Sequence, residues 1–182
     1  MANVHGFMIY GMWGPITDPG ARTMAERMGS EIPGINMHGS PYRDYDVNTI
    51  VSIIMGLPTS DKVLVTGTSL GSNNTPVVGA YAYLQNKQRI INGIWGFQAS
   101  IWGAQAGVDP SYPGITPNVQ FAHLAYSTNP LNAGLGAYVW QKAPGNKTTN
   151  LYAFDTGEIH PGDGDVNVQD MFIAEMKRVA AA

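Results

Sequence analysis

A run of β-branched and aliphatic residues, Val63 to Thr66, ends abruptly in Gly67-Thr68-Ser69-Leu70-Gly71. This junction constrains the chain more than any other stretch. With no polar alternation, the run suits a strand buried on both faces, as in the middle of a parallel sheet. Pro58-Thr59-Ser60-Asp61 bounds it on one side and Gly67 on the other. The G-x-S-x-G pattern fits a sharp strand-to-helix turn that holds its serine in a strained conformation. Such a turn needs a buried strand directly before it, which this sequence supplies.

The flanking elements agree with a parallel sheet. Val4 to Tyr10 predicts a first buried strand, followed by the turn-forming Gly11-Met12-Trp13-Gly14-Pro15. Ala21, Met24, Ala25 and Met28 recur at helical spacing after Pro19-Gly20. A short second strand is expected within Ile32 to His38, and Asp46 is placed to cap a helix from Val47 to Met55. Beyond Ser69, Val77 to Leu84 predicts a helix. Pro76 implies that this helix starts there, with Thr75 as its cap, or is kinked there. Ile90 to Phe97, Val119 to Tyr126 and Asn150 to Asp155 predict three further strands. Leu131 to Lys142 suggests a poor helix weakened by Gly134 and Gly136. Val168, Met171, Phe172, Met176 and Val179 mark the apolar face of a last helix.

The expected fold is therefore α/β: a three-layer sandwich with a mostly parallel sheet of five to six strands, in one domain over residues 1–182. Right-handed crossovers would bring the loops at the carboxyl ends of the strands together. Ser69, the Gly11 loop and the segments after Gln98, Tyr126 and Asp155 would share that end.

Composition excludes several functions. A net charge of -3 with no basic cluster gives no electrostatic basis for nucleic-acid binding. The chain has no cysteine, so it has no disulfide, thiolate metal site or cysteine nucleophile. The first basic residue is Arg22, unlike the charged start of a secretory signal, and no apolar run reaches membrane-spanning length. A soluble, cytoplasmic protein without a cofactor is expected. Asp163-Gly164-Asp165 is a fragment of a calcium loop without the rest of an EF-hand, and no metal is expected there.

A nucleophilic serine needs a base, and the chain has four histidines. His5 opens the first strand, at the wrong end of the sheet. His123 falls inside a strand, where a bonded core imidazole is expected. His38, near the end of the second strand, is a minor candidate. His160 lies five residues after the last predicted strand, in Thr156-Gly157-Glu158-Ile159-His160-Pro161-Gly162-Asp163, where a tight turn follows it. It is the best-placed base.

With this elbow and this His-Pro-Gly turn, the chain resembles the α/β-hydrolase superfamily, in particular its small esterase and lipase-like members. The resemblance implies Ser69 as nucleophile and His160 as general base. It also implies an oxyanion hole from the backbone N–H of Leu70 and a second donor at Met12 or Trp13. Thr68 stands where many members carry histidine. The acid member would fall in Ser127-Thr128-Asn129-Pro130, where Asn129 can orient an imidazole but carries no charge. Asp109, before Pro110, is the alternative, with Asp155 and Asp163 further candidates. The irregular stretch Ala99 to Pro117, with Trp102 and Tyr112, has the length of a binding loop. Together with Trp13 and Trp140 it could wall a pocket for a small-molecule or lipid ester. The competing expectation is a non-catalytic binding or structural module of the same fold.

Overall fold

The computed structural model describes residues 2–11, 18–39, 46–99, 114–132, 139–159 and 164–182. Six strands form one sheet, in chain order β1 (Val4–Ile9), β2 (Ile35–His38), β3 (Lys62–Thr68), β4 (Gly93–Phe97), β5 (Phe121–Tyr126) and β6 (Asn150–Asp155). Every pairing is parallel, and the spatial order is β2-β1-β3-β4-β5-β6. The order reverses between β1 and β3. In open α/β sheets the loops at such a point splay apart and leave a crevice beyond the strand ends. Ser69 and the segment after β1 both emerge there.

Among the described residues, four helices lie between and after the strands: α1 (Pro19–Glu31), α2 (Val47–Gly56), α3 (Leu70–Gln85) and α4 (Val166–Ala181). Ile50, Val51 and Ile54 of α2 and Val78 and Ala82 of α3 pack on one face of the sheet, against Phe7, Val63, Val65 and Ile94. Met24 and Met28 of α1 and Phe172, Ile173 and Met176 of α4 cover the other face, against Leu64, Trp95 and Phe97. Burying each of the Val, Leu, Ile, Phe and Met side chains fully is worth about 1.5–3 kcal/mol. Neighbouring residues of β3 therefore serve opposite layers, which explains why its sequence shows no polar alternation. Among the described residues, no helix is long and apolar enough to cross a membrane.

Helix starts follow local chemistry. Asp18 accepts a bond from Ala21 N–H at 3.0 Å, and Pro19 occupies the first helical turn, where no N–H is needed. Asp46 accepts from Thr49 N–H at 2.9 Å, as its position predicts.

Three expectations need correction. Helix α3 begins at Leu70, not at Pro76, and runs through the proline. Pro76 has no N–H for the carbonyl of Ser72, but the hydroxyl of Thr75 donates to that oxygen at 2.9 Å. The side chain expected to cap a later helix instead fills the gap in this one. The poor helix at Leu131 to Lys142 is absent from its described parts. There, Pro130–Asn132 forms a single 3-10 turn and Lys142 bridges Ile115. Trp140 is not a pocket wall open to ligand but a core residue, 3% exposed, with its ring against Gly96.

Candidate active site

Ser69 sits at the junction of β3 and α3 with φ 51° and ψ −119°. This combination lies outside the wells that L residues favour and costs on the order of 1–3 kcal/mol. The surroundings hold it in place. Ser69 N–H donates to the Phe97 carbonyl on β4 at 2.9 Å, and its own carbonyl accepts from Asn73 N–H at 3.3 Å. The two glycines of the motif are required by contact rather than by flexibility. A Cβ at Gly67 would lie 2.5 Å from the Gly71 carbonyl oxygen, and one at Gly71 would lie 2.6 Å from the Tyr10 carbonyl oxygen. Helix α3 thus starts pressed against the backbone ends of β3 and β1.

Ser69 and Leu70 are only partly buried. Leu70 is the first residue of α3, and its N–H falls outside the helix's own ladder of bonds. Helix N-termini concentrate such donors and carry partial positive charge, which favours an anion beside Ser69. The segment after β1 passes close by: a Cβ at Gly11 would be 3.2 Å from the Ser69 Cβ. Met12 and Trp13, the expected second donor and pocket wall, lie outside the described residues, as do Trp102, Asp109, His160 and Asp163.

Thr68 has a definite role here. Its hydroxyl donates to Asp18 Oδ2 at 2.6 Å, while Asp18 Oδ1 caps α1. Asp18 is 8% exposed and ties the end of the loop from β1 to the residue preceding the serine. Asp18-Pro19 is a readable helix start; its second bond, across fifty residues of chain, has no local signature.

Of the candidate orienting residues the structure describes Asn129 and Asp155, at the ends of β5 and β6. Asn129 Oδ1 accepts from Leu131 N–H at 3.0 Å, and its amide donates to the Gly157 carbonyl at 2.9 Å. Its side chain thus ties the segment after β5 to the one leading towards His160. Asp155 accepts from the hydroxyl and N–H of Thr128 and from Gly157 N–H. The Thr128 hydroxyl, followed by the Gly157 N–H, holds its carboxyl below the usual carboxylate range. Asp165, two residues after Asp163 in the sequence, caps α4 through Asn167 N–H.

The other described histidines are engaged elsewhere. His123 Nδ1 meets both oxygens of Glu175, at 2.9 and 3.0 Å, and Glu175 also accepts from the Trp95 indole. It is the bonded core imidazole its position predicts. His38 Nε2 lies 2.8 Å from His5 Nδ1, and its ring stacks on Phe7. Gln98, Ser127 and Asn132 carry no signal in the sequence that singles them out. All three are buried at the carboxyl ends of β4 and β5, and Gln98 has φ 46°. Among the described residues, no group of three acidic or histidine side chains is arranged to hold a metal ion.

No model of a known protein family matches the chain, and comparison with curated proteins finds no match.

Proposed function

We propose that this chain is an α/β-hydrolase-like serine hydrolase that cleaves carboxylic esters through an acyl-enzyme on Ser69. The observation that supports this reading is the strained backbone of Ser69. It sits between a buried parallel strand and a helix N-terminus, at the point where strand order reverses. Strain of this kind, held by close glycine contacts, costs stability and is found where it serves function.

In this reading, His160 takes the proton as Ser69 Oγ attacks the ester carbonyl. The oxygen gains negative charge beside Leu70 N–H, with a second donor from the segment at Met12 and Trp13. His160 then passes its proton to the departing alkoxide. Water, deprotonated by the same imidazole, releases the acid and restores Ser69. Asn129 or Asp109 orients the ring, and Trp13 and Trp102 line the acyl or alcohol pocket.

The test uses a fluorophosphonate probe and p-nitrophenyl butyrate. Ser69 should be the labelled residue, and Ser69→Ala should lower turnover by about five to six orders of magnitude. A label on another residue, or turnover that survives Ser69→Ala, overturns the assignment.

One observation favours the non-catalytic module instead. Asn129 is neutral, and its side-chain oxygen already accepts a bond from Leu131 N–H. Absence of turnover on esters of every chain length would decide for the module.

A further inference from the structure

Three buried polar side chains converge on one carbonyl oxygen. Ser127 Oγ donates to the Glu158 carbonyl at 2.6 Å, Asn132 Nδ2 at 3.0 Å and Gln98 Nε2, the longest, at 3.4 Å. The donors are 1%, 4% and 1% exposed, whereas Glu158 itself is exposed. They cross-brace one another: Asn132 Nδ2 also donates to Ser127 Oγ at 3.1 Å, and that oxygen accepts from Asn129 N–H at 3.2 Å.

Burying hydroxyl and amide groups costs free energy that apolar side chains at the same strand ends would avoid. Fully bonded polar networks repay this by fixing a single geometry. Here the fixed object is a backbone carbonyl on a surface loop, not another part of the core. Two peptide units separate Glu158 from His160, so covalent geometry limits their Cα separation to about 7.6 Å.

Gln98 extends the frame to the serine. The carbonyl of Phe97, the residue before it, accepts the Ser69 N–H at 2.9 Å, and Gln98 N–H donates to the Ala125 carbonyl at 2.6 Å. Its positive φ of 46° marks a second strained position at the same end of the sheet. One residue thus spans from the backbone bonded to Ser69 to the start of the histidine loop.

We propose that Ser127, Asn132 and Gln98 are positioning residues that clamp the Glu158 carbonyl, so that the loop bearing His160 leaves the sheet at a point fixed relative to Ser69. This rests on the reading of Ser69 and His160 as nucleophile and base. In this role none of the three needs to touch substrate. Their effect is on where the base can stand, and a displacement of about 1 Å in such a group can cost about 100-fold in rate.

The experiment compares Ser127→Ala, the nearly isosteric Asn132→Asp and the hydroxyl-retaining Ser127→Thr in the full chain. Two readouts are taken: kcat and KM on p-nitrophenyl butyrate, and amide hydrogen exchange across residues 156–163. Ser127→Ala and Asn132→Asp should lower kcat about 10- to 100-fold with KM within about twofold, as expected when a reacting group is displaced. Exchange should accelerate in 156–163 and not in β1, β3 or α4. Ser127→Thr should recover most of the lost kcat. Unchanged exchange in 156–163, or a general rise in exchange accompanying the loss of kcat, overturns the clamp. If wild-type protein hydrolyses no ester but loop exchange still responds to these variants, the clamp stands and the hydrolase reading falls.

Discussion

At the amino ends of β1 and β3, His5 and Asp61 form a hydrogen-bonded chain with His38, the last residue of β2, all on ordinary backbone. At the carboxyl ends of β3 and β4, Ser69 and Gln98 are the only described non-glycine residues with positive φ. Asp61 takes His5 Nε2 at 3.1 Å and two bonds from Asn3, and the buried Arg89 donates to the Pro58 carbonyl at 2.6 Å. By residue type, the amino end looks more like chemistry: an aspartate, two imidazoles and a buried guanidinium. Yet the second ring nitrogen of His5 faces His38 and no hydroxyl. The carboxyl end holds its backbone under strain at Ser69 and Gln98. Here strain, rather than a list of suggestive side chains, separates a candidate site from a structural network.

The comparison breaks most readily at Gly71. A Cβ there would overlap the Ile9 carbonyl and approach the Tyr10 carbonyl, and backbone cannot swing aside as a side chain can. Gly71→Ala should destabilise the protein by about 3 kcal/mol or more, at or beyond the usual range for overpacking. Urea unfolding of the two proteins measures this. A loss below about 1 kcal/mol would mean that the elbow tolerates slack, against the tight fit seen here.

A smaller effect of opposite sign is expected at Ser69. Glycine adopts positive φ without strain, although it gains more freedom on unfolding. Ser69→Gly should therefore raise stability by about 1 kcal/mol, a shift of roughly 2–4 °C in Tm, while abolishing ester turnover. Loss of stability instead would show that the side chain's own interactions outweigh the strain, and the contrast between the two ends would weaken.

Much of the fold could be read from the sequence because short-range patterning decides it. Period and burial along Val4–Tyr10, Val63–Thr66 and Val168–Val179 located β1, β3 and α4, and Asp46 announced its helix. What escaped depends on partners distant in the chain. Pro76 signals a helix boundary until Thr75 supplies the hydroxyl that completes the Ser72 carbonyl. Trp140 gives the impression of a pocket residue until the missing Cβ of Gly96 makes room for its ring. The proposed Glu158 clamp joins residues 26 to 60 positions apart through side-chain-to-backbone bonds, which leave no periodic trace. Of the candidate site, Ser69 and Leu70 were legible because an elbow is a local motif with a strict local context.

The smallest effect tests whether the amino end is as settled as its bonds suggest. His5 gives Nε2–H to Asp61 in the tautomer its partners favour, so its Nδ1 accepts from His38 Nε2–H. Only one of the two facing nitrogens, 2.8 Å apart, can carry hydrogen. Burial, and then the charge of His5, hold the His38 pKa below the ordinary histidine value. Between the lowered and ordinary values the unfolded chain binds the proton and the folded one does not. Stability should therefore be fully present above the ordinary histidine pKa and decline as pH falls through that window. Urea midpoints taken from pH 8 down to pH 5 should fall in wild-type protein and fall less in His38→Gln, which cannot titrate. Equal slopes in the two proteins would remove His38 as the source. Partial exposure of the His38 ring keeps this difference the smallest of the three.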